Sequence, residues 1–347
     1  MKGKKEREFT WVVGVDVAQE TLTAAIAKKE WAEIGRALPV MTITNNPQGY
    51  QVLLEWLKNR LMEMGQTRMI LEHTGTYWTA AASFFYTMGM QVVVALPKRV
   101  CRYREALPPR GKTDAQDACV LAYFGLAIPT TLWEPPDPCY RELREILRVR
   151  LNLKQQQTNL QNAYRSLQRQ KGSSDSVLNS LKNLGEQLQH SAEELLEQAK
   201  TLVQRHPHLQ EVVEILRSIP GVGWVTALGV LGELQGIQSF HHRKSTCAYA
   251  GVVPYSYESG TSVRKKPHIS RESNHYLRYF LFAAANSGSR CNPKLKPFYQ
   301  RLLDKGHSKT SAKIACARKL LTIILACVQH HQFFDPDYVP EKLMMAT

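Results

Sequence analysis

The chain has 347 residues and a mass of 39.4 kDa, enough for two or three domains with cores of their own. Hydrophobic residues make up 44% and the seven cysteines are scattered with no Cys-x-x-Cys pair, which argues against disorder, a zinc ribbon and a disulfide scaffold. Lys and Arg number 45 against 30 acids, a net charge of +15 that favours a polyanionic partner, nucleic acid foremost.

The apolar stretch Leu320 to Val328 is too short to span a bilayer, and the charged start, Met1 to Thr10, carries no secretory signal. The expectation is a cytoplasmic protein with no membrane partner. The charge is uneven: fourteen Lys and Arg face only Glu272 and Asp304 between Ser259 and Leu320. A second basic run, Pro97 to Lys112, holds Lys98, Arg99, Arg102, Arg104, Arg110 and Lys112 against Glu105. The bland alternative for both runs is a solvated surface.

In chain order, residues 1–130 read as an α/β unit. Trp11 to Asp16, Leu22 to Ala27 and Val40 to Thr44 are short strand candidates. Pro47 opens a helix in which Leu53, Leu54, Leu57 and Leu61 recur at helical spacing. A strand over Met69 to Leu71 ends at Glu72, a helix runs from Tyr77 to Met88, and a buried strand, Gln91 to Leu96, stops at Pro97. Three strands and then alternating helices and strands predict a mixed sheet with helices on its faces.

Residues 137–205 change character. Ile146, Leu153, Leu160 and Leu167 recur every seven residues, as do Leu181, Leu188, Leu195 and Leu202, with a break at Gly172 to Asp175. The spacing predicts two long helices in a hairpin or coiled-coil arm that associates copies or spaces domains. An ordinary helical domain is the alternative, because the companion seam of Leu143, Arg150, Gln157 and Tyr164 is mixed. Residues 211–335 predict a second, mostly helical domain, and 336–347 a tail. Within it, Leu216 to Leu234 reads as a helix-hairpin-helix whose Gly221 and Gly223 would bring backbone N–H groups to a phosphate; a turn that only packs is the alternative.

Four acids stand where a nuclease needs them. Asp16 ends the first strand, Glu72 ends the fourth, and Asp114 and Asp117 lie at i and i+3, on one face of a helix. An RNase H-like fold gathers four carboxylates in this way. Such hard oxygen donors suit Mg²⁺, which keeps coordination open for phosphate oxygens, and two such ions about 4 Å apart serve an attacking and a leaving oxygen. Mn²⁺ would substitute. Singly, each acid reads as a cap or turn residue; the four in this order read as a site. His73 is a possible further ligand or a local hydrogen-bonding partner.

The segments GVDVAQETL, LEHTGTYW and KTDAQDACVLA, followed by SIPGVGWVTA, AYAGVVPYSYESGTSVRKKPHIS and NHYLRYFLFAAA, resemble the IS-one-ten family of insertion-sequence transposases over nearly the whole chain. These are DEDD-type recombinases with a RuvC-like domain, a coiled coil and a C-terminal transposase domain; pilin-gene invertases share the layout. The resemblance implies a serine nucleophile in a Ser-Gly motif, here Ser259 before Gly260. Read from its own neighbourhood alone, Ser259 is a turn serine that caps the next element, and Ser256, Ser262, Tyr255 and Tyr257 are its local rivals as nucleophile. Arg264, Lys265 and Lys266 come at once after it, and Arg271 and Arg278 extend the candidate nucleic-acid surface. The resemblance further implies a structured bridge RNA that pairs with donor and target DNA.

The expected activity is site-specific DNA recombination: Ser259 forms a phosphoserine linkage to a 5′ end, with Mg²⁺ on Asp16, Glu72, Asp114 and Asp117. Strand exchange implies an oligomer, dimers pairing into a tetramer, with the serine supplied in cis or in trans. Two alternatives stand: a Holliday-junction endonuclease that activates water, and a nucleic-acid-binding protein without catalysis. The segment Phe333 to Thr347, with Pro336 and Pro340, is expected to be a tail without chemistry.

Overall fold

The computed structural model describes residues 8–30, 37–60, 62–73, 75–107, 113–170, 172–235, 243–259, 263–269 and 273–337, with residues 255–259 and 263–268 in backbone only. The chain divides into two compact units, 1–135 and 136–347.

The first unit begins with β1 (Trp11–Val17), β2 (Thr21–Lys28) and β3 (Val40–Thr44). It continues with α1 (Pro47–Lys58), β4 (Thr67–Glu72), α2 (Trp78–Thr87), β5 (Gln91–Ala95), α3 (Pro97–Glu105) and α4 (Asp114–Ala127). The mixed sheet has the order β3-β2-β1-β4-β5. β1, β2 and β3 are antiparallel neighbours, whereas β1, β4 and β5 run parallel. A parallel set buried on both faces accounts for the near-continuous apolar strands. Strand alternation sorts the side chains: Val13, Val15, Val17, Met69 and Leu71 pack into one core with α1 and α2. Val12, Ile70, Val93 and Ala95 pack into a second with Leu121 and Phe124 of α4.

The helix opened by Pro47 is capped by Asn46, whose side chain accepts from the Gly49 N–H, and it stops at Lys58. It is therefore shorter than the leucine spacing implies, and Leu61 lies outside the described residues. The basic run after Pro97, read from the sequence only as charge, forms α3, with Pro97 at its first turn.

The second unit comprises α5 (Pro138–Gln168), α6 (Asp175–Gln204), α7 (Pro207–Arg217), α8 (Trp224–Leu234) and α9 (Arg243–Tyr249). Next come a hairpin of β6 (Pro254–Ser259) and β7 (Val263–Ile269), then α10 (His275–Cys291), α11 (Lys296–Asp304) and α12 (Lys309–Gln329). The long helical hairpin is not a body apart from the later helices. Cys139, Leu143 and Leu147 of α5 and Ala199, Leu202 and Val203 of α6 share one core with α7, α8, α10 and α12. Its tightest seam is also not the leucine line. Gly185, Ala192 and Ala199, seven apart, are buried along α6 together with Leu202 and Val203 at its end, while Leu181, Leu188 and Leu195 are half-buried. Alanines let two helix backbones approach closely at Ala192 and Ala199, whereas a Cβ at Gly185 would meet open space. Gln157 of α5 is 5% exposed and donates to Gln189 at 3.0 Å while accepting from Lys154 at 2.6 Å, so it is satisfied within the mixed seam, whereas Arg150 Nε is buried without a partner. At the other end, Phe334 packs on the core and its N–H donates to the Ser218 hydroxyl at 2.9 Å, so this residue of the expected tail is tied down, whereas Phe333 is exposed. Residues 338–347 lie outside the described residues.

Candidate active site

The first unit brings acids to one corner by backbone logic. Val15 pairs with Leu71, so Asp16 and Glu72 stand one residue further along parallel neighbours. By alternation both lie on the face that carries Val12 and Ile70, the face covered by α4. α4 sits low on the sheet because β1 offers Gly14 beneath it: a Cβ there would strike the backbone of Ala118 and Ala122. Gly125 does the same service further along, where a Cβ would meet Ile70 and Val12 side chains. The first turn of α4 carries Asp114 and Asp117, and its cap Thr113 accepts from the Gln116 N–H at 3.3 Å.

The electrostatics result from the crowding. Burial raises the Asp16 carboxyl above the ordinary carboxylate range, and the charges of Asp117 and then Asp114 raise it further; Arg104 opposes them. Arg104 Nη2 lies 2.7 Å from Asp117 Oδ1. In this structure Arg104 is the counter-charge of Asp117 in the acidic corner. On α3 and α4, Arg104 Nε, the Tyr103 hydroxyl and Gln116 Oε1 are buried without a hydrogen-bond partner. Neither Tyr103 nor Gln116 carries a signal in sequence that would mark it. Among the described residues the four acids do not form a group whose ligand atoms all lie within 4.8 Å. His73 is exposed, its backbone N–H donates to Ala95 O at 2.9 Å, and its ring centroid lies 5.3 Å from that of Trp78.

The other basic candidates divide. Arg99 is exposed, donates to Pro129 O at 3.1 Å and lies 5.7 Å from the Phe124 ring centroid. Lys98 and Arg102 are exposed on α3. Lys112 and Arg271 lie outside the described residues, as do the side chains of Arg264, Lys265 and Lys266. Gly221 and Gly223 part company. Gly221 has φ +98°, and a Cβ on it would come within 2.7 Å of Gly288 Cα in α10, so packing alone requires glycine there. Gly223, the N-cap residue of α8, has open space where a Cβ would be.

Ser259 is the last residue of β6, paired in register with Val263, rather than a residue of an isolated turn; its side chain lies outside the described residues. The root of this hairpin is held by a network the sequence reading missed. Glu233, 3% exposed, accepts from Arg148 Nε at 2.7 Å and Nη2 at 2.8 Å, and from Asn274 Nδ2 at 2.7 Å. Asn274 caps α10 through the Leu277 N–H, and its own N–H donates to Tyr249 O. Arg278 donates to the Ser273 hydroxyl at 2.7 Å, against Gly251, so it too is tied into the root. One signal was available: a single acid inside the otherwise apolar α8 has to find a partner.

Residues 13–171 match the transposase family designated DEDD_Tnp_IS110, and residues 213–300 match the transposase family IS116/IS110/IS902. The pilin gene-inverting protein of Moraxella bovis is 30% identical over 93% of this chain and 97% of its own length. The chain belongs to the IS110 family of transposases. The transposase for insertion sequence element IS1111A of Coxiella burnetii is 28% identical over 40% of this chain and 37% of its own. A structure of T. thermophilus RuvC in complex with Holliday junction substrate aligns over 35% of the chain and 99% of its own, at 14% identity and a TM-score of 0.28. In this IS110-family chain the first matched region contains Asp16, Glu72, Asp114 and Asp117, and the second contains Gly221, Gly223 and Ser259. Among the described residues, no helix is long and apolar enough to cross a membrane.

Proposed function

We propose that this transposase is a DNA recombinase whose first unit is an RNase H-like metal-binding body and whose second carries the nucleophile, Ser259. The observation that carries the reading is the acidic corner: Asp16 is held above the ordinary carboxylate range by burial and by the charges of Asp117 and Asp114. Like charges concentrated on a buried strand end cost stability unless a cation relieves them. The donors are hard oxygens, which fits Mg²⁺ with its water and phosphate ligands. Asp16, Glu72, Asp114 and Asp117 would hold it, with Arg104 released from Asp117. Bound there, Mg²⁺ supplies positive charge for a phosphate and its departing oxygen.

The chain's own chemistry is nucleophilic substitution at phosphorus. The Ser259 oxygen forms a bond to phosphorus and the phosphorus–O3′ bond breaks. The serine proton passes to solvent, and the freed 3′ oxygen takes up a proton. The phosphoserine linkage to the 5′ end conserves the phosphodiester, so rejoining requires no ATP. The basic surface binds donor and target DNA, and a bridge RNA delegates sequence choice to base pairing. The helical hairpin associates copies of the chain, dimers pairing into a tetramer.

The test is a denaturing gel of end-labelled DNA. Ser259→Ala should bind nucleic acid but trap no protein–DNA adduct. Asp16→Asn should lower cleavage by orders of magnitude, with partial recovery in Mn²⁺. Normal cleavage by Ser259→Ala would overturn the serine assignment in favour of metal-activated water, Tyr255 or Tyr257.

A further inference from the structure

A second cluster of donor atoms lies in the other unit, on residues that the recombination chemistry does not use. Asp137 is the N-cap of α5, and its carboxylate accepts from the Cys139 N–H at 3.0 Å. Cys139, in the first turn, is 4% exposed. His208, the second residue of α7, places Nε2 3.8 Å from Cys139 Sγ. One donor atom from each of Asp137, Cys139 and His208 lies within 4.8 Å of the other two. The Asp137 and His208 side chains are exposed, so the cluster opens to solvent.

We propose that Asp137, Cys139 and His208 form a zinc site that staples the first turn of α5 to the first turn of α7. Tetrahedral zinc, with Zn–S about 2.3 Å and Zn–N about 2.1 Å, sets sulfur and nitrogen roughly 3.6 Å apart, so the observed spacing needs little movement. A helix cap and a buried thiol would by themselves explain Asp137 and Cys139. They do not explain an imidazole nitrogen turned to the same thiol from 69 residues away. Three protein donors would leave the fourth position of the ion to water.

The donor set also selects the ion. Thiolate and imidazole favour zinc over magnesium, whereas the acids near Asp16 offer oxygen alone. In the apo protein the thiol is hydrogen-bonded to Asp137, and burial and that bond push it up to about 12. Binding replaces this proton: one divalent ion enters, a sulfur–metal bond forms, the sulfur–hydrogen bond breaks, and one proton leaves to solvent.

The experiment titrates the full-length, chelator-stripped protein with Co²⁺ in excess Mg²⁺, then displaces it with Zn²⁺. The expected result is a thiolate-to-cobalt charge-transfer band that saturates at one ion per chain, disappears when Zn²⁺ is added, and persists in Asp16→Asn. Cys139→Ser should abolish the band. His208→Ala, at an exposed position that leaves the buried thiol in place, should weaken Co²⁺ binding at least tenfold, which keeps the test decisive if Cys139→Ser folds poorly. Absence of the band in the wild type, or a band unchanged in both variants, overturns the proposal.

Discussion

Glu233 is a carboxylate inside an apolar helix, and its stability rests on Arg148 and Asn274. Removing one partner of a buried pair leaves an uncompensated charge, at a cost of roughly 3–5 kcal/mol, moderated here because Arg148 is partly exposed. Arg148→Ala should therefore destabilise the second unit by about 3 kcal/mol in a denaturant titration, and Arg148→Lys should recover only part, since lysine cannot reproduce a two-pronged contact. Asp16 gives the opposite sign. Its carboxyl is raised in the folded chain, so the folded state holds a proton that the unfolded state releases earlier. Stability contributed by that proton is present at low pH and is lost as pH rises from the ordinary carboxylate range through the raised value. Without divalent ions, Asp16→Asn should raise the neutral-pH thermal midpoint of the first unit and flatten its acid-side dependence. An unchanged midpoint would mean that the acids do not repel one another. These acids were legible from sequence because strand ends and an i, i+3 pair are local patterns. The partnership of Arg104 with Asp117 was not, because a run of positive charge says nothing about which member turns inward.

At the scale of elements, close approach is written in small residues. Gly14→Ala should push α4 off β1, since the added Cβ meets backbone that cannot rotate away. Loss of cooperative unfolding in the first unit and loss of metal response should then appear together. In the helical hairpin, Ala192→Leu overfills a buried seam and should cost about 1–3 kcal/mol, read as a lower thermal midpoint by circular dichroism. Leu188→Glu with Leu195→Glu alters half-buried flanks instead and should leave folding intact. If the hairpin joins copies of the chain, sedimentation should show smaller species; an unchanged oligomer would exclude it as the contact. The leucine repeats made both helices and their break visible. They could not show that Ala192 and Ala199 are fully buried where Leu188 and Leu195 are not, because alanine hardly registers in an apolar periodicity. The zinc donors were hidden for another reason: Cys139 and His208 become neighbours only when two helices return to one core.

For the whole molecule, two units with separate cores should unfold in two transitions. Asp16→Asn should move one of them and Arg148→Ala the other; a single transition moved by both would show strong coupling. A net charge of +15 also sets the ionic-strength response. Affinity for duplex DNA should fall with salt at a slope of about −0.9 per phosphate contact, and charge reversal at Arg264 and Lys265 should flatten it. Affinity indifferent to salt would remove these residues from the binding surface.

The hairpin of α5 and α6 can also be considered as a mechanical arm. Its helices run for 31 and 30 residues, and only their lower turns are buried in the core. At 1.5 Å per residue the reach is about 45 Å, so a tilt of roughly 10° at the root would sweep the tip through about 8 Å. Anything that stiffens the root is multiplied at the tip, and the donors of Asp137, Cys139 and His208 stand at the fulcrum. A bound ion there would act on position over tens of ångströms while touching only two helix ends.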